Sequence, residues 1–129
     1  MFKNSLDNFQ TYQRLDKHHV YDSIINFPNQ ITQAWTEITY TNHLDRCANA
    51  QNIVVSGMGG SALGGRIIQS LGQFILNAPL EIINNYRLPA YVDQKTLVIL
   101  CSYSGDTEET VSCAKDALQR HAQTFVIST

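Results

Sequence analysis

The stretch NIVVSGMGGSALGG, residues 52–65, joins a short β-branched run to a cluster of glycines. The run NIVVS is typical of a buried strand, and the glycines behind it indicate a tight turn. Apolar residues then recur at helical spacing, at Leu63, Ile67, Ile68 and Leu71. A buried strand that turns directly into a helix, here from about Ser61, begins an α/β unit.

Three further strands are predicted, LEIIN at 80–84, TLVILC at 96–101 and TFVIST at 124–129. Their apolar side chains follow one another without alternation, as in strands buried on both faces. A helix is predicted between the last two, from 106 to about 121, with Asp106 as N-cap and Glu109 in the capping-box position. Its predicted apolar face is formed by Val111, Ala114 and Leu118. Together these elements predict an α/β fold with a parallel sheet covered on both sides.

Helices are predicted before the sheet. Residues 6–26 are expected to be helical, and a further helix is expected from Pro28 to near Asn49, since proline suits a first helical turn. The second of these has an apolar face at Ile31, Ala34, Trp35 and Ile38. We therefore expect a helical segment, 1–50, that packs on the sheet of a domain formed by 51–129. Because the sequence stops at the end of a strand, we expect an N-terminal piece of a longer protein. A complete small domain with a frayed last strand is the alternative.

Composition excludes several classes of function. The 129 residues have a net charge of -2 and a pI near 6.0, so neither nucleic acid nor an anionic membrane is an expected partner. The sequence shows no signal-peptide core and no membrane-spanning apolar run. Three cysteines, Cys47, Cys101 and Cys113, lack any CxxC spacing and are expected to be reduced thiols of a cytoplasmic protein. No histidine has a metal-ligand spacing, so no metal is expected. No cofactor is expected either.

Two loops are expected at the carboxyl ends of strands, where open α/β sheets bind ligands. The first contains Gly57, Gly59 and Gly60, which allow close backbone approach and positive φ before a helix that favours anions. The second, SYSGDTEET at 102–110, follows TLVILC. Ser and Thr hydroxyls at a helix N-terminus can donate to a phosphate without burying a cation, with Gly105 allowing the tight turn. The candidate hydroxyls are those of Ser102, Ser104 and Thr107.

Two alternatives to a site for a monoester phosphate are open. Simple helix capping explains one of these hydroxyls easily and three poorly. Gly57, Gly59 and Ala62 also fit the dinucleotide pattern G-x-G-x-x-G/A. That pattern requires an acidic residue at the end of the second strand, where this chain has Asn84 and Asn85.

The segments FPNQITQAW, GMGGSALGG, YRLPAYVDQKTLVI and SYSGDTEET resemble, in order, the sugar isomerase (SIS) domain. The similarity is greatest to the N-terminal half of the bifunctional phosphoglucose/phosphomannose isomerases. The resemblance implies a three-layer, flavodoxin-like sandwich around a parallel sheet, and interconversion of glucose 6-phosphate or mannose 6-phosphate with fructose 6-phosphate. It implies a phosphate site at Ser102, Ser104, Gly105 and Thr107, and a sugar-facing loop at Gly59, Gly60 and Ser61. It also implies a homodimer or pairing with a second SIS domain.

Three positions depart from the family pattern. Arg66 replaces a common acidic residue, while Asn84 and Asn85 replace an arginine and an acidic residue, which leaves glucose or mannose preference open. The family's glutamate, histidine and lysine that move the proton lie beyond Thr129. Of the carboxylates here, Glu108 and Glu109 are better explained by the helix dipole than as a base. A non-catalytic phosphosugar-binding SIS module is therefore the alternative function.

Overall fold

The computed structural model describes residues 8–37, 47, 49–72 and 74–129. Two compact units are distinguished, Met1–Thr41 and Asn42–Thr129. The predicted packing of segment 1–50 on the sheet stays a prediction.

The described part of the first unit, residues 8–37, contains three short helices: α1 (Phe9–Leu15), α2 (Val20–Ile25) and α3 (Phe27–Glu37). The single helical stretch expected up to residue 26 is interrupted at Asp16, whose carboxylate accepts the backbone N–H groups of Val20 at 2.9 Å and Tyr21 at 2.7 Å. These bonds satisfy the free donors of a helix start, so α2 begins anew there, and they lower the pKa of Asp16.

Helix α3 has Pro28 in its first turn, as predicted. Its apolar side chains are exposed, with Trp35 76% accessible, and no residue of α3 is buried. The predicted continuation of this helix to Asn49, including Ile38 and His43, falls on 38–46 and 48, outside the described residues.

The second unit is built on a four-stranded sheet. Its strands are β1 (Asn52–Gly57), β2 (Leu80–Ile83), β3 (Thr96–Cys101) and β4 (Gln123–Ile127). All neighbouring strands are parallel, in the order β2-β1-β3-β4. Strand order therefore reverses between β1 and β3, and the crevice beyond their carboxyl ends is the place where such sheets bind ligands.

Helices cover opposite faces of this sheet. A short 3-10 helix, Gly59–Ala62, leads into α4 (Leu63–Gly72), whose Gly65 lies against the side chains of Val55 and Ile82. Helix α5 (Glu108–Gln119) buries Cys113 and Ala117 in one cluster with Val54 and Val98. Because Val54 and Val55 point to opposite faces, α4 and α5 form the two outer layers. The predicted three-layer α/β arrangement with a parallel sheet is confirmed.

Several local predictions were wrong. Helix α4 begins at Leu63 rather than near Ser61, because the chain first forms the 3-10 turn. The predicted apolar face of α5 was right for Ala114, which packs against the core, and wrong for Leu118, which is 65% exposed. The buried positions of the helix are Thr110, Cys113 and Ala117. Strand β4 lies at the sheet edge, and its Val126 is 64% exposed, so β4 is not buried on both faces. None of the described helices is long and apolar enough to cross a membrane.

Candidate functional site

The glycine loop, residues 57–61, follows β1 and depends on two of its glycines for different reasons. A Cβ atom on Gly57 would stand 2.9 Å from the carbonyl oxygen of Cys101, so only glycine permits this approach of β1 to β3. Gly59 has a φ of 53°, a left-handed conformation that glycine adopts without strain. Gly60, whose φ is not positive, has open space around its Cβ position. The loop thus presents unobstructed backbone at the sheet edge.

The hydroxyl loop, residues 102–107, follows β3, and its conformation is set by hydrogen bonds of Ser102. This residue is only 5% exposed, and its backbone N–H donates to Ile127 of β4 at 3.0 Å. Its Oγ accepts the N–H of Gly105 at 3.1 Å and lies 2.9 Å from Thr107 Oγ1. Gly105 turns the chain with a φ of 76°. Three of the predicted residues are therefore joined by hydrogen bonds within one turn.

Capping does not account for these hydroxyls. The N-cap of α5 is Thr107, not Asp106 as predicted, and its side chain makes no capping hydrogen bond. Its hydroxyl contacts Ser102 instead. Ser104 is exposed, and its hydroxyl has no hydrogen-bond partner among the described residues. The free N–H groups at the start of α5 remain available to an anion.

The two loops meet at the switch point. The backbone N–H of Tyr103 points at the Oγ of Ser61 across 3.4 Å, and the hydroxyl of Thr129 donates to the carbonyl of Tyr103 at 2.6 Å. Beside them opens a cavity of about 400 Å³, with apolar walls from Val55, Ile68 and Ile99. None of the described residues that line it carries a charge. Any anion held here would rely on hydroxyls, amides and the helix dipole.

Acidic side chains flank the hydroxyl loop in the first turn of α5. The Tyr86 hydroxyl donates to Glu108 at 3.3 Å. The negative charge of Glu109, more than partial desolvation, raises the pKa of the Tyr86 phenol. Both carboxylates thus interact with Tyr86. Across the described ranges, no cluster of three or more histidine, cysteine or acidic side chains could hold a metal ion.

A contact between Arg66 and Asn84 was not predicted from the sequence. Arg66 and Asn84 were noted separately as departures from the family, but the Arg66 guanidinium donates to Asn84 Oδ1 at 2.6 Å. The Asn84 amide in turn donates to the carbonyl oxygen of Gly57. Because these residues come from α4, the end of β2 and β1, local spacing gives no signal of their meeting. The sequence does offer one hint of this contact, since Arg66 and Asn84 both depart from the family pattern.

The fold is that of a doubly wound α/β domain, and the two loops lie at its switch point, where such domains bind ligands. The family model of the SIS domain matches residues 47–129, and the chain belongs to the SIS domain family. This membership also favours a SIS site over the dinucleotide alternative at the glycine loop.

Curated relatives carry related names. A bifunctional phosphoglucose/phosphomannose isomerase from Caldicellulosiruptor bescii is 37% identical over 110 residues, covering 85% of this chain and 32% of that protein. One of the same name from Thermoplasma volcanium is 41% identical over 76 residues, covering 59% and 24%. A D-glucosamine-6-phosphate 4-epimerase from Sulfolobus acidocaldarius is 28% identical over 107 residues, covering 78% and 32%. The chain therefore spans about a third or less of the length of these relatives.

Proposed function

We propose that this chain is the phosphosugar-binding part of a hexose-phosphate isomerase that interconverts glucose 6-phosphate or mannose 6-phosphate with fructose 6-phosphate. The observation that carries the proposal is the meeting of the Ser102–Thr107 turn with the glycine loop at the N-terminus of α5. The names of the three relatives all refer to phosphorylated hexoses, which supports this substrate class.

The phosphate is proposed to lie against Ser104, Thr107 and the amides of the α5 start. In the free chain, Gly105 N–H donates to Ser102 Oγ, which lies next to Thr107 Oγ1. If Ser102 donates onward, the Thr107 hydroxyl hydrogen is free for a phosphate oxygen. Ser102 then acts indirectly, by orienting the Thr107 hydroxyl towards the phosphate. The partial positive charge at the N-terminus of α5 stabilises the phosphate charge.

The sugar is proposed to face Gly59, Gly60 and Ser61, across the crevice from the phosphate. Isomerisation moves a proton between C1 and C2, which requires a base near those carbons. We assign that base to none of the described residues, because Glu108 and Glu109 interact with Tyr86 instead. The wider proposal includes a cytoplasmic location, consistent with three free cysteines, and pairing with a second SIS domain or a second copy.

The test is thermal protection by fructose 6-phosphate, with unphosphorylated fructose as the matched control. At a hundred times its Kd a ligand stabilises the folded chain by about 2.7 kcal/mol, which is a readily measured rise in Tm. We expect protection by the phosphosugar only. Equal responses to both sugars, or no response to either, would contradict the proposal.

Activity separates the two candidate functions. A coupled assay of fructose 6-phosphate formation from glucose 6-phosphate and mannose 6-phosphate detects the isomerase. Binding without turnover, in the full-length protein, would favour the non-catalytic SIS module.

A further inference from the structure

The carbonyl oxygen of Gly57 accepts a hydrogen bond from a side chain where the strand ladder stops. The β1–β2 register ends with the pair Ser56 and Ile83. Asn84 is the next residue after β2, and its side-chain Nδ2 donates to Gly57 O. The amide thus extends the pairing of β1 by one residue, up to the start of the glycine loop.

Arg66 fixes which way this amide faces. Its Nη2 donates to Asn84 Oδ1 at 2.6 Å, a charge-assisted contact that requires the oxygen side of the amide to face α4. The NH₂ side is then directed at Gly57. Reversing the amide would set two donors against each other and two acceptors against each other.

Gly57 is also constrained from the other side. The carbonyl oxygen of Cys101 stands 2.9 Å from the Gly57 Cβ position, so β3 limits movement in that direction. The peptide that starts the glycine loop is therefore held between β3 and Asn84. Two residues later Gly59 makes its left-handed turn, followed by the proposed sugar-facing Gly60 and Ser61.

We propose that Asn84 is a positioning residue, which holds the glycine loop in the conformation that binds the sugar. Arg66 acts through Asn84 by orienting its amide. The inference rests on the proposed function for its ligand. No described hydrogen bond joins Asn84 or Arg66 to Ser102, Ser104 or Thr107, so the pair acts chiefly on the sugar half of the proposed site. The Asn84 side chain is exposed, but its bond to the buried Gly57 is part-buried, so we also expect Asn84→Ala to cost about 0.5–1.5 kcal/mol of global stability.

The test compares two ligands in the wild type and in Asn84→Ala, Asn84→Asp, Arg66→Ala and the Ala–Ala double variant. We expect Asn84→Ala to weaken fructose 6-phosphate binding by about tenfold and inorganic phosphate binding by less than about twofold, measured by calorimetric titration. Asn84→Asp keeps an oxygen for Arg66 but loses the donor to Gly57, so it should behave as Asn84→Ala. Arg66→Ala should have no further effect in the Asn84→Ala background, because it acts through that amide.

Gln69 offers a matched control. Its side chain also ties α4 to β2, donating to Leu80 O at 2.8 Å, but at the opposite end of the strand. Gln69→Ala should leave both affinities unchanged. Equal weakening of both ligands by Asn84→Ala, or additive effects of the two alanines, would overturn the positioning role.

An amide NMR spectrum of the free chain keeps the inference separate from the proposed function. Asn84→Ala should shift the Gly59, Gly60 and Ser61 resonances and leave those of Gly105 and Thr107 in place. If the wild type binds neither ligand, the proposed function fails while these shifts still decide the positioning role. Unmoved glycine-loop resonances would refute it.

Discussion

Ser102 and Ser104 are two residues apart, yet the structure predicts opposite consequences for their substitution by alanine. Ser102 is 5% exposed, and its Oγ interacts with Gly105 N and Thr107 Oγ1. Ser104 is exposed and has no hydroxyl partner among the described residues. We therefore expect Ser102→Ala to lower the free energy of unfolding and Ser104→Ala to lower ligand affinity.

The magnitudes follow from the number of bonds lost. Each net hydrogen bond contributes about 0.5–1.5 kcal/mol, so Ser102→Ala should destabilise the chain by about 1–3 kcal/mol. Ser104→Ala should change stability by less than about 0.5 kcal/mol, as surface substitutions do. A hydrogen bond to a charged phosphate is worth about 1.5–3 kcal/mol, so its loss should weaken fructose 6-phosphate binding by roughly 10- to 150-fold.

Urea unfolding and calorimetric titration of the same three proteins measure both effects. The reasoning is refuted if Ser104→Ala destabilises the free chain as much as Ser102→Ala. It is also refuted if Ser104→Ala binds fructose 6-phosphate as tightly as the wild type.

Three further predictions concern stability. His121 follows α5 and has a φ of 56°, and the N–H of the next residue, Ala122, donates to the carbonyl of Ala117. A helix end of this kind favours glycine at the left-handed position, so His121→Gly should stabilise the chain by about 0.5–1 kcal/mol in urea unfolding. Destabilisation would contradict this. Thr110 is 6% exposed and its Oγ1 has no partner among the described residues, so Thr110→Val should be neutral or stabilising by about 1 kcal/mol. A large loss would show that the hydroxyl is bonded. Burial raises the pKa of the Cys101 and Cys113 thiols in the folded chain. The neutral thiols therefore contribute fully to the free energy of unfolding below the unfolded-state pKa, about 8.5, and this contribution is lost as the pH rises through the folded-state pKa values. Replacing both by alanine should flatten the decline in the urea midpoint between pH 8 and 10, and an unchanged decline would refute this.

The sheet was predictable from the sequence because its strands carry local signals. Strand β3 occupies 96–101 as expected, and β1 extends only one residue past its predicted end. The glycine at 105 predicted a tight turn, and Gly105 has a positive φ. Buried apolar runs and glycine turns are properties of neighbouring residues, so a sequence displays them directly.

Features that depend on distant residues were not predictable. The capping prediction at Asp106 was wrong because Ser102 Oγ contacts Thr107 and the turn is set by that bond. The prediction for Leu118 of α5 was wrong because packing on the sheet, not helical spacing alone, selects the buried positions. The Arg66–Asn84 contact joins residues 18 positions apart and requires the assembled fold.

A crystal structure of the chain with fructose 6-phosphate tests the central claim most directly. The account predicts phosphate oxygens about 2.5–3.0 Å from the hydroxyls of Ser104 and Thr107 and near the first amides of α5, with the sugar towards Gly60 and Ser61. A phosphate bound elsewhere, for example in the polar cleft beside Lys115, would contradict it.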